Sequence, residues 1–350
     1  MTNRANEPEK ALLYFATALT LILIVAMFVS FPVGAYSFYS NQLNGTPTTA
    51  TLSYLPLFAI GMLVRIPLPP GLLSLGYLFF AIWAVFIALF VMLLKGPWYN
   101  ILKALKSLPS DRSLAVYSNG ALTLGLAFPA LLVLTVVLEA LLDTVGLPVG
   151  NLPDIGAREA FFSISYAPLI EEVGFRVTII GLVAAAIAFR SQGGWTSLKA
   201  LWHPSRALGE VKVEAWKQGN VYAAILISAL VFGAQHVLQG AGWEIGKAVS
   251  SFVVGLALGI IYFTHGFPAA VMMHWSFNYF EGSFYYFDLA RGLPPLDATS
   301  EFSSLAALQY SQFYVDALVI LTSVAVFAFL AYLMGKSFLD RKDRPKGRPA

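Results

Sequence analysis

Cysteine is absent from the 350 residues. That excludes disulfides, thiolate metal sites and a cysteine nucleophile. Charge is scarce: Asp, Glu, Lys and Arg make up 12% of the chain, against about 25% in soluble domains. No Gly-rich phosphate loop and no nucleic-acid motif occurs, so no nucleic-acid partner is expected. Histidine occurs only four times, and the net charge is a small +3. What the chain has instead is apolar surface: 58% hydrophobic residues and a mean hydropathy of +0.71. The class is an all-α, polytopic membrane helix bundle with little mass outside the bilayer.

Eight apolar runs serve as predicted spans. They are Ala11 to about Ser30, Leu72–Leu94, Ala121–Leu142, Phe161–Phe189, Asn220–Leu238, Val249–Thr264, Pro268–Tyr286 and Val315–Met334. The first is too long for the roughly 7–15-residue core of a signal peptide, so it reads as a retained span. A polar loop, Phe31–Ser53, follows it. Tyr54–Val64 is apolar but too short to cross and ends in Arg65 and a Pro-rich turn; it is expected to dip into or lie along one leaflet. Lys95–Arg112 is amphipathic and basic, suited to the membrane surface. Phe287–Tyr314 reads as a long loop and Gly335–Ala350 as a disordered basic tail. The chain divides into an N-terminal two-span region (1–120), a core (121–286), and a last loop, span and tail (287–350).

Charge fixes the expected orientation. With eight spans, one side of the membrane holds only Arg65, Arg158, Lys247 and Arg291, and Arg176 lies within a span. The rest of the 22 Lys and Arg fall on the side of the two termini. The positive-inside rule then gives N-in and C-in, in what reads as a prokaryotic cell membrane.

The stretch Glu171-Glu172-Val173-Gly174-Phe175-Arg176 puts three charges inside the fourth span. Each costs about 2.5–3.5 kcal/mol at the bilayer centre, about 9 kcal/mol together if unpaired. A polar site facing the inside of the bundle accounts for them. Glu172 and Arg176 are i,i+4 and can pair on one face, which leaves Glu171, rotated by about 100°, free to point elsewhere. Phe232 and His236 share a face of the fifth span, and His274 and Asn278 a face of the seventh. A carboxylate base, a water and a His/Asn oxyanion clamp suffice to hydrolyse an amide without a covalent intermediate. Two His and one or two Glu also suit zinc with an activated water. Both readings stand on sequence alone.

Glu-Glu-x-x-x-Arg at 171–176, Phe-x-x-x-His at 232–236 and His-x-x-x-Asn at 274–278 resemble the three motifs of the CAAX-protease and bacteriocin-processing family. These are intramembrane endopeptidases, including enzymes that clip the C-terminal tripeptide from prenylated proteins. The resemblance covers about residues 160–286. It implies a catalytic set of Glu171, His236, His274 and Asn278, with Glu171 activating water beside His236, and His274 and Asn278 holding the oxyanion. Glu172, Arg176 and Phe232 would support them. If the enzyme is metal-dependent, Glu171, His236 and His274 would be the ligands. The implied substrate is a membrane-associated protein or peptide cut near a terminus.

Other readings compete. A polar-relay transporter would use the same buried Glu, His and Arg, although no internal repeat is seen. A non-catalytic immunity or scaffold protein could share the fold. Glu139 and Asp143 read as a snorkelling helix end, Glu244 and Lys247 as a surface pair, His203 as solvated and His265 as interfacial. Glu281 divides evenly between a helix end and the rim of a site. Counting residues from the span ends puts Glu171, His236 and His274 at depths differing by about 10–15 Å, which tilt or shifted boundaries must absorb.

Overall fold

The computed structural model describes residues 7–96, 100–108, 119–151, 155–192, 194–210, 215–239, 242–295 and 305–342. It is an all-α polytopic bundle with one small hairpin. Among the described residues seven helices are long and apolar enough to cross a membrane. They are α1 (Glu7–Tyr39), α2 (Leu75–Lys95), α4 (Gly120–Thr144), the continuous helix from α5 into α6, α9 (Ala215–Leu238), α10 (Ile245–His265) and α13 (Ser311–Lys342). The α5–α6 helix joins α5 (Ala157–Glu171) to α6 (Leu182–Gln192) through a π-helical segment, Glu172–Gly181.

An eighth helical passage is built from α11 (Phe267–Trp275), a second π segment (Ser276–Phe280) and α12 (Glu281–Ala290). Every residue of α11 is buried, so this is the enclosed helix around which the others pack. Aromatic rings fill the space between it and α1, α2 and α5. Phe31 stacks on Trp275 at 5.0 Å and Trp275 on Tyr279 at 5.4 Å. The Tyr279 hydroxyl and the Trp83 ring N–H both donate to the Phe31 carbonyl, at 3.0 Å each. Buried polar tips of aromatic residues need such partners.

Several expected boundaries shift. The Phe31–Ser53 loop begins only after Tyr39, because α1 continues through Pro32. α12 runs to Ala290 and α13 starts at Ser311, which shortens the Phe287–Tyr314 loop from both sides. The tail is helical as far as Lys342; residues 343–350 lie outside the described residues. Between the fourth and fifth spans two short helices form, α7 (Gly194–Trp202) and α8 (Pro204–Glu210). Of the Lys95–Arg112 segment the structure describes one short helix, α3 (Ile101–Lys106).

Tyr54–Val64, expected to dip into or lie along one leaflet, is most of a β-hairpin: β1 (Tyr54–Ala59) pairs antiparallel with β2 (Met62–Pro67). Its two-residue turn, Ile60-Gly61, has φ of 50° and 73°. Positive φ at both central residues is the geometry that follows strand twist, and Gly adopts it without a Cβ penalty. The hairpin docks on the first π segment. Gly61 N donates to the Gly174 carbonyl at 3.0 Å, and Ile60 N to Thr178 Oγ1 at 2.9 Å. Tyr166 donates to the Pro56 carbonyl at 2.8 Å. Gly174 makes the approach possible, since a Cβ there would lie 2.0 Å from Phe58 Cβ.

Arg158 anchors the loop after α1 to the start of α5. It is 7% exposed and donates to the carbonyls of Phe38, Ser40, Leu43 and Thr46, at 2.7–3.0 Å. Four acceptors disperse a guanidinium charge that burial alone would make costly.

Candidate active site

The motif helix changes its winding where the chemistry-bearing residues begin. Glu171 ends α5 and Glu172 opens the π segment. The wider π turn adds a residue without ending the helix and is frequent at functional sites. Glu172 is fully buried and faces Arg176, with Oε2 and Nε 3.3 Å apart. The contact is ionic: its N–H is not aligned for a hydrogen bond. The Arg176 guanidinium lies over the Phe232 ring at 4.3 Å and reaches the Gly255 carbonyl at 3.5 Å. A cation over a ring face gains from the ring quadrupole when both are desolvated.

Glu172 has a second partner that sequence reading missed. His274 Nδ1 is 2.9 Å from Glu172 Oε1. A carboxylate can only accept, so Nδ1 donates, which fixes the imidazole's tautomer and plane. The other nitrogen, Nε2, faces Glu171 Oε2 at 3.8 Å. His274 is thus held between two adjacent glutamates of one helix. An i,i+1 pair points in different directions on a regular helix, and the π turn lets both reach the same ring.

His236 sits one turn beyond Phe232 on α9. Its Nδ1 donates to the Phe232 carbonyl at 2.8 Å, so a neutral ring carries its lone pair on Nε2. Phe232 separates the parts of the site: its ring meets His236 at 4.8 Å, His274 at 5.8 Å and Phe175 at 5.1 Å, all edge-on.

Glu171, His236, His274 and Asn278 all line one cavity of about 300 Å³. Phe58 of the docked hairpin, Gln235 and Lys247 line it too. Glu171 is 18% exposed, His274 8%, and Glu172 and Arg176 not at all. The depth mismatch expected from counting residues does not keep these groups apart.

Four side chains outside the motifs sit differently from the sequence expectation. Glu139 is no snorkelling end: it accepts from Lys247 Nζ at 3.1 Å and Ser250 Oγ at 2.7 Å, on the cavity wall. Lys247 therefore pairs across to α4 through its side chain rather than with Glu244. His203 is not solvated but 8% exposed, and neither ring nitrogen has a hydrogen-bond partner among the described residues. Burial pushes its pKa down to about 4, helped by His265 and Arg206 nearby. Glu281 belongs to neither a free helix end nor the cavity; it accepts from Gln312 of α13 at 3.0 Å.

The zinc alternative needs at least three converging donors. Among the described residues, no group of three His, Asp or Glu side chains is arranged to hold a metal ion. His274 and His236 each engage Nδ1, with Glu172 and with a carbonyl, which leaves Nε2 on both rings as the ligand atom, but these do not converge with a third donor. The donor set as arranged among the described residues does not fit the ion.

Residues 157–280 match the family model described as Type II CAAX prenyl endopeptidase Rce1-like. The matched segment is less than half of the chain but holds all three motifs. No curated protein and no solved structure matches the chain. The chain is therefore an integral, multi-pass membrane protein whose residues 157–280 are similar to the Rce1-like type II CAAX prenyl endopeptidases.

Proposed function

We propose that this protein is an intramembrane endopeptidase that uses Glu171 as general base. One observation carries the reading: Glu171, His236, His274 and Asn278, from three separate helices, line the same cavity. A carboxylate in such a low-dielectric enclosure is a stronger base than one in water. Glu171 takes a proton from a water molecule as the water oxygen attacks the scissile carbonyl carbon. His236 Nε2 accepts the water's second hydrogen and orients it. The Asn278 amide donates to the developing oxyanion. His274, held by Glu172, accepts at Nε2 the proton that Glu171 collects and then donates from both nitrogens. The C–N bond breaks as that proton passes to the leaving amine. Glu172, Arg176 and Phe232 touch none of the reacting atoms; they position His274 and His236. The substrate is a membrane-associated protein or peptide cut near a terminus.

The test is cleavage of a membrane-bound peptide by purified wild type, Glu171→Gln and His236→Ala. Loss of a general base costs about 10²–10⁴-fold, so kcat is expected to fall by that factor in Glu171→Gln with the thermal midpoint little changed. Full activity in Glu171→Gln removes the assignment. Activity is expected to survive a strong chelator, because no step needs a metal; loss on chelation and recovery with zinc would replace this mechanism.

A further inference from the structure

We infer that the cavity opens on the non-cytoplasmic face of the membrane, so its substrates are peptide segments presented outside the cytoplasm. The word substrate rests on the endopeptidase reading; the orientation does not.

The bundle has two chemically different ends. One carries the α1–α2, α4–α5 and α9–α10 connections. These are tied to one another: Gly150 bridges to Trp243, and Arg158 binds carbonyls of the loop after α1. The cavity belongs to this end. Phe58 of the hairpin, Gln239 and Trp243 of the α9–α10 turn and Lys247 in the first turn of α10 line it, and Gln239 is exposed. The opposite end carries α3, α7, α8 and the α10–α11 turn. There Tyr262 donates to the Leu201 carbonyl at 2.7 Å, and Gly266 packs on the His203 ring.

Positive charge separates the same two ends. The cavity end has only Arg65, Arg158, Lys247 and Arg291. Three of these are engaged: Arg158 by four carbonyls, Lys247 by Glu139 and Arg291 by Asp288. Among the described residues the remaining Lys and Arg, Arg176 in the site excepted, lie toward the other end, and the sequence adds the others to the segments that continue from that end. Much of that excess sits in the short segments 95–112 and 190–219, the loop lengths over which the positive-inside rule holds. The basic end is therefore cytoplasmic and the cavity mouth faces away from it. A cytoplasmic C-terminal tail would meet the end of the bundle opposite the cavity mouth.

The chain has no cysteine, so single cysteines report orientation without background. The full chain carrying Gln239→Cys or Val145→Cys (mouth end) or Lys103→Cys (basic end) is expressed in bacterial spheroplasts and treated with a membrane-impermeant maleimide. Val145 is 70% exposed, so it reports the mouth end even if the Gln239 variant fails to accumulate. The mouth-end cysteines are expected to label in sealed spheroplasts to the level reached after permeabilisation, and Lys103→Cys only after permeabilisation. The reverse pattern, or labelling of both ends in sealed spheroplasts, overturns the inference. Labelling needs no catalysis, so it can fail or succeed independently of the Glu171→Gln cleavage assay.

Discussion

Removing Glu172 separates what holds the bundle together from what holds the site in register. Glu172 and Arg176 are wholly buried and 3.3 Å apart. Glu172→Leu leaves the Arg176 guanidinium buried without its counter-charge, which costs about 3–5 kcal/mol. Replacing both partners by apolar residues of similar volume is often neutral or stabilising. The double variant Glu172→Leu/Arg176→Leu should therefore regain most of that loss, short of the about 0.5–2 kcal/mol that Arg176 gains over Phe232. Activity should not return with it. His274 Nδ1 loses its acceptor, and the ring is no longer held toward Glu171. Removing such an orienting partner in metal sites costs about 10–100-fold, a fair guide here. The assay pairs the thermal midpoint in detergent with kcat/KM for peptide cleavage. The single variant should be low in both, and the double variant near wild type in the first only. A double variant that regains activity together with stability would refute the positioning role. A single variant as stable as wild type would refute the buried charge pair.

Two further perturbations probe other parts of the molecule. Gly174→Ala drives a Cβ into Phe58 Cβ at 2.0 Å and into hairpin backbone at 2.8 Å, which cannot rotate away. The hairpin should undock, losing two hydrogen bonds of about 1 kcal/mol each and the burial of Phe58, about 1.5–3 kcal/mol; protease nicking at Ile60–Gly61 should appear in the variant, and an unnicked, active Gly174→Ala would show the hairpin to be dispensable. His203 is neutral in the fold, with its pKa lowered to about 4 against an unfolded value near 6.5. The stability of the α7–α8 segment should be constant above pH 6.5 and fall as the pH drops from there toward 4, because only the unfolded segment takes up the proton; hydrogen exchange in that segment checks it, and His203→Leu should flatten the profile.

The legible parts of the sequence were those with local causes. Long apolar runs must become helices in lipid, because every backbone polar group needs an internal partner there. Glu172 and Arg176 had to meet because four residues make one helical turn. The hairpin was not legible: both faces of Tyr54–Pro67 are apolar, so the alternation that marks a strand is missing. Its one signal was Gly61 between two apolar stretches of strand length. His203 misled because a polar loop is usually solvated, whereas its ring is buried with Gly266 beside it. Lys247 was assigned to Glu244 by sequence spacing, whereas the acceptor lay on another helix, at Glu139.

Sequence alone determined the medium, the helical class, the family resemblance and the side on which positive charge collects. Each follows from composition or short-range spacing, which survive whatever the helices do to one another. Only the tertiary structure decided that Glu171 and Glu172 share one histidine and that a hairpin is docked on the motif helix. It alone brought three helices to a single cavity. Those facts depend on two π turns and on contacts between residues as much as 118 positions apart. No periodicity in the chain encodes such distances, because they are set by how the helices pack.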